Sequence, residues 1–597
     1  MEKTRSLADD YASLNSRSPR EEVLRIFAAI HDATLDIEVK KTLAQSILDD
    51  LRADKSISRL LEDEAHLAIR AVKDLGYAPE VATVLATPPN LRCLLNLSPK
   101  FEKEPENPAL RCIANTILLN ESARTTLIGN DVGGGTACVD LLQNSTSAEY
   151  IFLASRILFL CTVSIYSSAS FIKWLVECKR QNVDGSRTAV DIIAMKMDEL
   201  VSSLVAGNDV KTPMTDLLKL TFNLCVHYPK LVHCEAQSPD VKVAGSDQKV
   251  MGDHWSPQLD SLLPPLLRAF HNIPLRSRDP HNALVPPLSH VIHALITIPI
   301  SPTARHMWFG SQPSSSVPHS SPSESASSSS PASPTHETQP RVPVKGPKPK
   351  PLERALSALS ARRPYSRSSP SRSSTPTAPD TAARAYELLD ITLSHFMPDE
   401  VEPDIEDVRS SRCKSEDDFT LDDVSPLGIL LTRICLADED AKLRLRSWFV
   451  PANIDRTTPL EQQPTLLGRC LRLLKSYTQL NSVIGEMLFA MFDSNPETLI
   501  RYVGYGNVAG LLFHKGITDA PMGSSTSGGP ITTPAGLPIN PITGTIERER
   551  EPDNMTEEEK EQEAEKLFSL LDRMEKTGAI QPSQNPIRKA IEQGKIQ

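Results

Sequence analysis

Leu91-Arg92-Cys93-Leu94-Leu95-Asn96-Leu97, Leu110-Arg111-Cys112-Ile113-Ala114-Asn115-Thr116 and Leu218-Lys219-Leu220-Thr221-Phe222-Asn223-Leu224 share one frame. Each opens on Leu followed by a cation and carries a carboxamide five positions after that Leu. Leu288 to Ala294 follows the frame loosely, with His293 in the Asn place. Apolar residues three and four apart mark a helix with one greasy face. The recurrence of such a unit marks a repeat array. Helices of this kind cannot bury their apolar faces alone, so they are expected to stack into a superhelix with a concave side. There the carboxamides Asn96, Asn115 and Asn223 either hydrogen-bond a partner's backbone or cap local turns.

The pattern extends outward from these units. Ser18-Pro19-Arg20-Glu21 reads as a helix start, with Ser18 as cap, Pro19 at the first helical position and Glu21 completing a capping box. Apolar spacing of three and four then runs to about Ile300, and Thr212-Pro213 repeats the cap-then-proline device. The composition agrees: 40% of residues are hydrophobic but only 5% aromatic, a mixture that suits helix-on-helix packing. A length of 597 residues exceeds one compact core and calls for several domains or an elongated repeat.

From Ser311 to Asp380 the chain turns to Ser, Pro, Thr and basic residues, which cannot form a core. Ser330, Ser333 and Ser369 precede proline there and are candidate phosphorylation sites. Helical spacing resumes at Ala382. After Gly516 comes a Gly/Ser/Thr/Pro stretch with little prospect of fixed structure. Thr556-Glu-Glu-Glu559 then reads as a capping box that starts a last helix, with Ala564, Leu567, Phe568, Leu571 and Met574 on one face. The expected organisation is helical repeats over 1–310, a disordered insert over 311–381 and helical repeats over 382–517. A flexible linker over 518–555, an amphipathic helix over 556–576 and a tail over 577–597 follow.

Composition and motifs also exclude function classes. A net charge of -11 argues against nucleic acid as partner. The 10 cysteines are scattered singly, mostly in apolar helical patterns (Cys93, Cys112, Cys161, Cys225), as expected of reduced thiols in the cytoplasm. Met1 to Ser6 holds no apolar run of a secretory signal. The stretch Tyr150 to Leu175 is too interrupted by Arg156, Lys173 and serines to span a bilayer, and fits two buried helices. Gly129-Asn-Asp-Val-Gly-Gly-Gly135-Thr lacks the Lys-Ser/Thr of a phosphate-binding loop and reads as a turn between helices. Cys225-Val-His227 and His233-Cys234 do not have the spacing of a zinc site. No catalytic constellation, metal site or cofactor is expected, and the chain reads as a binding protein.

Two segments carry a family resemblance. Arg501-Tyr-Val-Gly504-Tyr505-Gly506-Asn507-Val-Ala-Gly-Leu-Leu512 resembles the Tyr-x-Gly-Tyr-Gly-Asn-x-Ala-Gly-Leu-Leu signature of synembryns. Ile539-Asn-Pro-Ile-Thr-Gly544 followed by Met555-Thr-Glu-Glu-Glu-Lys-Glu is similar to the tail of the same family. Ala109 to Asn115 and Ser155 to Leu160 resemble its N-terminal helices. Synembryns are cytosolic exchange factors and folding chaperones for heterotrimeric G-protein α subunits.

The resemblance implies an all-α, right-handed armadillo/HEAT-like superhelix that holds the C-terminal helix of Gα in its concave groove, while a tethered C-terminal helix reaches the nucleotide-binding domain. Matched positions make Arg70, Arg111, Asn115 and Arg156 groove candidates; the repeat frame adds Lys219 and Asn223. Gly504, Tyr505, Gly506, Asn507, Leu567, Phe568 and Leu571 are the candidates for C-terminal partner contacts. The partner is then Gα, GDP-bound or nucleotide-free, in a one-to-one complex with a monomer, in the cytoplasm or at the inner face of the plasma membrane. The family's acidic kinase site after the Gly-Tyr-Gly-Asn motif has no counterpart in Ala520 to Gly529; Ser415 and Thr420 have acidic contexts but precede the motif. The competing expectation is an armadillo-type scaffold or a cargo adaptor. The adaptor grooves pair Asn with arrays of Trp, and none of the 4 Trp here lies in the Asn frame.

Overall fold

A computed structural model describes residues 6–15, 17–32, 34–53, 58–61, 64–101, 104–182, 185–236, 255–274, 284–310, 379–398, 421–475, 479–517, 537–547 and 556. Its compact units are Met1–Pro299 with Ala382–Gln597, and Ile300–Thr381.

The first unit is a helical solenoid with almost no strand. Its N-terminal helices are α1 (Leu7–Ser13), α2 (Arg20–Asp32), α3 (Ile37–Arg52), α4 (Ala65–Leu75), α5 (Pro79–Leu85), α6 (Pro88–Leu97), α7 (Pro108–Leu119) and α8 (Glu121–Ile128). They continue as α9 (Gly134–Asn144), α10 (Ala148–Cys161), α11 (Ile165–Glu177), α12 (Ala189–Val205), α13 (Lys211–Ala236), α14 (Leu263–Asn272) and α15 (Leu288–Leu295). Between α11 and α12 lies a small antiparallel pair, β1 (Arg180–Asn182) and β2 (Gly185–Arg187), with Arg180 opposite Arg187. In the second unit, α16 (Arg305–Phe309) carries the buried Trp308 and Phe309, and the Thr381 hydroxyl donates to the Trp308 carbonyl at 2.6 Å.

The solenoid resumes with α17 (Thr381–Phe396), α18 (Ser425–Ala437), α19 (Glu439–Phe449), α20 (Leu466–Leu474), α21 (Gln479–Met491), α22 (Pro496–Val503) and α23 (Tyr505–His514). One row of helices runs through it by neighbour contacts alone: α4 on α7, α7 on α10, α10 on α13, α13 on α15, α15 on α18, and α18 on α21. Helix α15, which ends at Leu295, packs directly on α18, which begins at Ser425. The repeat-frame residues supply the buried stripe: Leu91, Leu94, Leu110, Ile113, Leu218 and Leu224 are all fully shielded from solvent. Each such side chain contributes about 1.5–3 kcal/mol relative to leaving it exposed.

Two local readings change. Ser18 Oγ accepts the Asn15 N–H at 3.0 Å, and the α2 start is made instead by the Pro19 carbonyl, which accepts the Glu22 N–H at 2.9 Å. Within the stretch read as a linker, residues 537–547 are fixed: Ile539 and Ile546 form a β-bridge and Ile539 is buried. Composition suggested an unstructured segment, but backbone hydrogen bonds to the solenoid order it. The insert residues 311–378, Ser330, Ser333, Ser369, Ser415, Thr420 and the tail residues Leu567, Phe568 and Leu571 lie outside the described residues.

Several helix C-termini share one device. A helix ends in carbonyls its own N–H groups cannot reach, and here a side chain from another helix supplies the donor. Arg384 of α17 donates to Ile273 O after α14 (3.1 Å), and Asn223 of α13 adds a donor at 3.2 Å to Phe159 O of α10, which already accepts the Thr162 N–H and hydroxyl. Arg433 of α18 reaches Ile296 O after α15, and Arg469 of α20 reaches Met397 O after α17 (2.9 Å). Arg446 of α19 gives two bonds to Met491 O, the end of α21, at 3.0 and 2.7 Å, and pairs with Asp493 at 2.7 Å.

Arg446 also lies over the Phe492 ring at 5.4 Å, so its removal strips the α21 end of donors and packing together. Arg446→Ala is expected to lower stability by about 2–4 kcal/mol, and Arg446→Lys, which keeps charge without the fork, by less. Urea unfolding of the three proteins measures this. Equal midpoints for wild type and Arg446→Ala would refute it.

Candidate partner-binding face

Along α10, Phe152, Arg156 and Phe159 stand at spacings of four and three, and so share one face. All three are half-buried. On the neighbouring α13, Asp216 and Lys219 are three apart, and on α15 so are His290 and His293. The stacking of α10 on α13 and α13 on α15 brings these sets side by side.

Asp216 is the centre. It is 3% exposed, and its two oxygens face two cations: Arg156 Nη1 at 3.5 Å and Lys219 Nζ at 3.3 Å. One carboxylate thus meets two positive charges, which leaves a net positive site. The cations also rest on aromatic faces, Arg156 over Phe152 at 5.5 Å and Lys219 over Phe159 at 5.8 Å. Those contacts hold both long side chains against the wall of the site rather than free in solvent.

The aromatic floor continues through Phe222, whose ring meets His293 edge-on at 6.2 Å, and His293 lies 5.9 Å from His290. His293 Nδ1 donates to Ser289 O at 2.8 Å, since a carbonyl can only accept. Burial pushes the His290 imidazole down to about 4, with Lys219 and His293 acting in the same direction, so it is neutral at physiological pH. The face therefore offers two forked or pointed cations above an apolar, aromatic floor. That is suited to an anionic group at the end of an amphipathic segment.

Arg156, Lys219 and Asn223 come together here, but Asn223 is buried and occupied: besides Phe159 O it donates to Thr162 Oγ1 at 3.1 Å. Its role is to close the end of α10. Arg111 forks onto Glu149 at 2.7 and 3.0 Å, which ties α7 to the start of α10 and holds the guanidinium in its charged form. Glu149 precedes Arg156 by about two turns, on the order of 10 Å along the helix. Asn115 is half-buried on α7, and Arg70 is exposed on α4. Asn96 is exposed and lines a separate cavity of about 760 Å³ with Thr136, Asp140 and Asn144.

The C-terminal motif is organised differently. Gly504 has φ +84°, and a Cβ there would stand 2.5 Å from Gly544 N. Tyr505 N–H and Gly506 N–H donate to Pro541 O and Ile542 O, both at 2.8 Å, and the buried Asn507 donates to Val503 O at 2.9 Å. The backbone of this motif thus binds the chain's own Pro541–Gly544 turn.

Asp216, Phe152, Phe159 and His290 were not singled out in the sequence. The spacing of Phe152, Arg156 and Phe159 was visible; a lone helical Asp looks like any solvated acid until a neighbour covers it. Among the described residues no group of three His, Cys, Asp or Glu converges to hold a metal. No helix of the described residues is long and apolar enough to cross a membrane. The Cys225 thiol is pushed up to about 12 by burial.

Comparison with known proteins adds an independent finding. The family profile described as "Guanine nucleotide exchange factor synembryn" matches residues 68–595. Chaperone Ric-8A of Xenopus laevis is 32% identical over 169 residues, 27% of this chain and 31% of that one. The protein of that name from Mus musculus is also 32% identical over 169 residues, 27% of this chain and 32% of that one. A synembryn-like chaperone of Schizosaccharomyces pombe is 30% identical over 185 residues, 28% of this chain and 34% of that one. The alignments span about a third of the length of these curated relatives.

The depressed His290 value has a consequence for stability. Below its ordinary value near 6.5 the unfolded chain takes up a proton that the folded chain refuses until about 4. This contribution is present above pH 6.5 and is lost as pH falls through that window. Urea midpoints measured from pH 7.5 to 4.5 are expected to fall less steeply in His290→Gln than in wild type. Parallel curves would show that His290 titrates normally.

Proposed function

The chain belongs to the guanine nucleotide exchange factor synembryn family, and on that premise we propose that it binds the α subunit of a heterotrimeric G protein and favours the nucleotide-free state. The observation that carries this reading is the cation pair Arg156 and Lys219 on the single buried carboxylate of Asp216, set beside Phe152, Phe159 and Phe222. An amphipathic helix that ends in a free carboxylate fits such a face: its apolar side meets the rings and its terminal charge meets the unbalanced cation. The C-terminal helix of Gα is that element in this reading. The inner row of α7, α10 and α13 forms the groove, with Arg70, Arg111 and Asn115 towards its N-terminal end.

Exchange then follows from linkage. A protein that binds empty Gα more tightly than GDP-loaded Gα weakens GDP affinity by the same factor. Withdrawal of the C-terminal helix from the rest of Gα loosens the nucleotide site, and the chain beyond Glu547, through Leu567, Phe568 and Leu571, holds the opened subunit. The same grip on an incompletely folded Gα favours the structured form and acts as a chaperone. No covalent chemistry and no cofactor enter. The complex is one-to-one, formed in the cytoplasm and at the inner membrane face where Gα resides.

Fluorescence anisotropy with a peptide from the Gα C-terminus tests the face directly. Arg156→Ala with Lys219→Ala is expected to weaken the free-acid peptide by about tenfold to a hundredfold, the scale of lost charge-assisted hydrogen bonds. Amidation of the peptide terminus should produce the same loss in wild type and little further loss in the double variant. Additive losses would mean that the carboxylate binds elsewhere. Uptake of a GTP analogue by Gα, with and without the intact protein, separates exchange activity from a passive scaffold, which would bind without stimulation.

A further inference from the structure

The turn at Asn540–Gly544 carries hydrogen bonds of its own. Asn540 Oδ1 accepts Ile542 N–H at 2.8 Å, Gly544 N–H donates to Asn540 O at 2.8 Å, and Asn540 N–H donates to Thr545 O at 2.8 Å. Its docking is then almost wholly backbone to backbone. The N–H groups at the start of α23, which a helix leaves without internal partners, receive the carbonyls of Pro541 and Ile542.

Arg456 completes the grip. Its buried guanidinium donates to Gly544 O at 2.5 Å and to Tyr502 O at 3.0 Å, while its own carbonyl accepts Ile546 N–H at 2.8 Å. The approach needs glycine on both sides. A Cβ on Gly504 would stand 2.6 Å from Thr543 C, and one on Gly544 would stand 2.7 Å from Val503 O; Gly504 and Gly544 also have positive φ. The two sequence motifs that lie far apart along the chain are therefore the two halves of one contact.

We propose that residues 537–547 are a clip that anchors the chain to the solenoid a second time, so that whatever follows is tethered at Glu547 and not at Gly516. The clip splits the stretch between Gly516 and Thr556 into two parts, 518–536 before the docked turn and 548–555 after it. About nine residues of sequence then separate the anchor from the helix start read at Thr556, in place of about forty without the clip. Effective concentration of a tethered group falls roughly as the −3/2 power of tether length once the span is covered. The consequence for Gα rests on the reading above; the clip itself does not.

The full-length chain tests this with a Gly/Ser insertion of about twenty residues placed either after Ser527 or after Arg550. With the clip closed, the downstream insertion is expected to raise the half-maximal concentration for GTP-analogue uptake on the order of fivefold, and the upstream one to leave it unchanged. In Gly504→Ala, or in Arg456→Lys should that variant fold better, both insertions should act alike, by about twofold. Hydrogen exchange reads the clip without any partner. The amides of Asn540, Gly544 and Ile546 should be protected in wild type and exchange at least tenfold faster in Gly504→Ala. Equal effects of the two insertions in wild type, or unprotected amides, would overturn the clip. Protected amides with no stimulation of uptake at all would instead sink the exchange reading and leave the clip standing.

Discussion

A stack of short helices has a recurring problem: every helix ends in carbonyls that must be satisfied, and in a stack many of those ends are covered by the next layer. Water cannot do the work there, and an orphaned buried carbonyl costs about 1–3 kcal/mol. This chain answers with long or forked side chains sent from one helix to the end of another. Asn223, Arg384, Arg433, Arg446 and Arg469 each reach a carbonyl at or just past a helix terminus. The positive guanidinium also suits the negative end of the helix dipole. These bonds fix the angle and register of layer on layer, which apolar contact alone leaves loose.

The cation cluster of the candidate face is a by-product of that order. Asn223 holds the end of α10, which sets the position of Phe159 and, through it, of the Lys219 ammonium above the ring. Asp216, buried by the same packing, then gathers Arg156 and Lys219 to one point. Arg111 illustrates the opposite outcome, since Glu149 takes its whole fork. A cation in the repeat frame therefore either takes a whole carboxylate or shares one, and where one acid serves two cations a positive charge is left over.

Glycine plays a comparable double part at the other end. Gly504 and Gly544 serve not as flexible points but as places where two backbones touch. The result converts a stretch of low-complexity composition into a docked turn.

What the residue order determined by itself was the class of fold, because a period of 3.6 in apolar residues is a local property that no later contact can erase. The repeat frame at Leu91, Leu110 and Leu218 announced stacking, and the pairs at Gly504–Asn507 and Ile539–Gly544 announced the family. Composition misread 537–547, since Pro, Gly and Thr look the same in a free linker and in a turn held by backbone hydrogen bonds. It was equally silent on whether Asn223 faces a partner or a helix end, and on the worth of Asp216. Those answers depend on which helix lies 60 or so residues away in sequence but a hydrogen bond away in space, and only the packed layers bring such groups within reach.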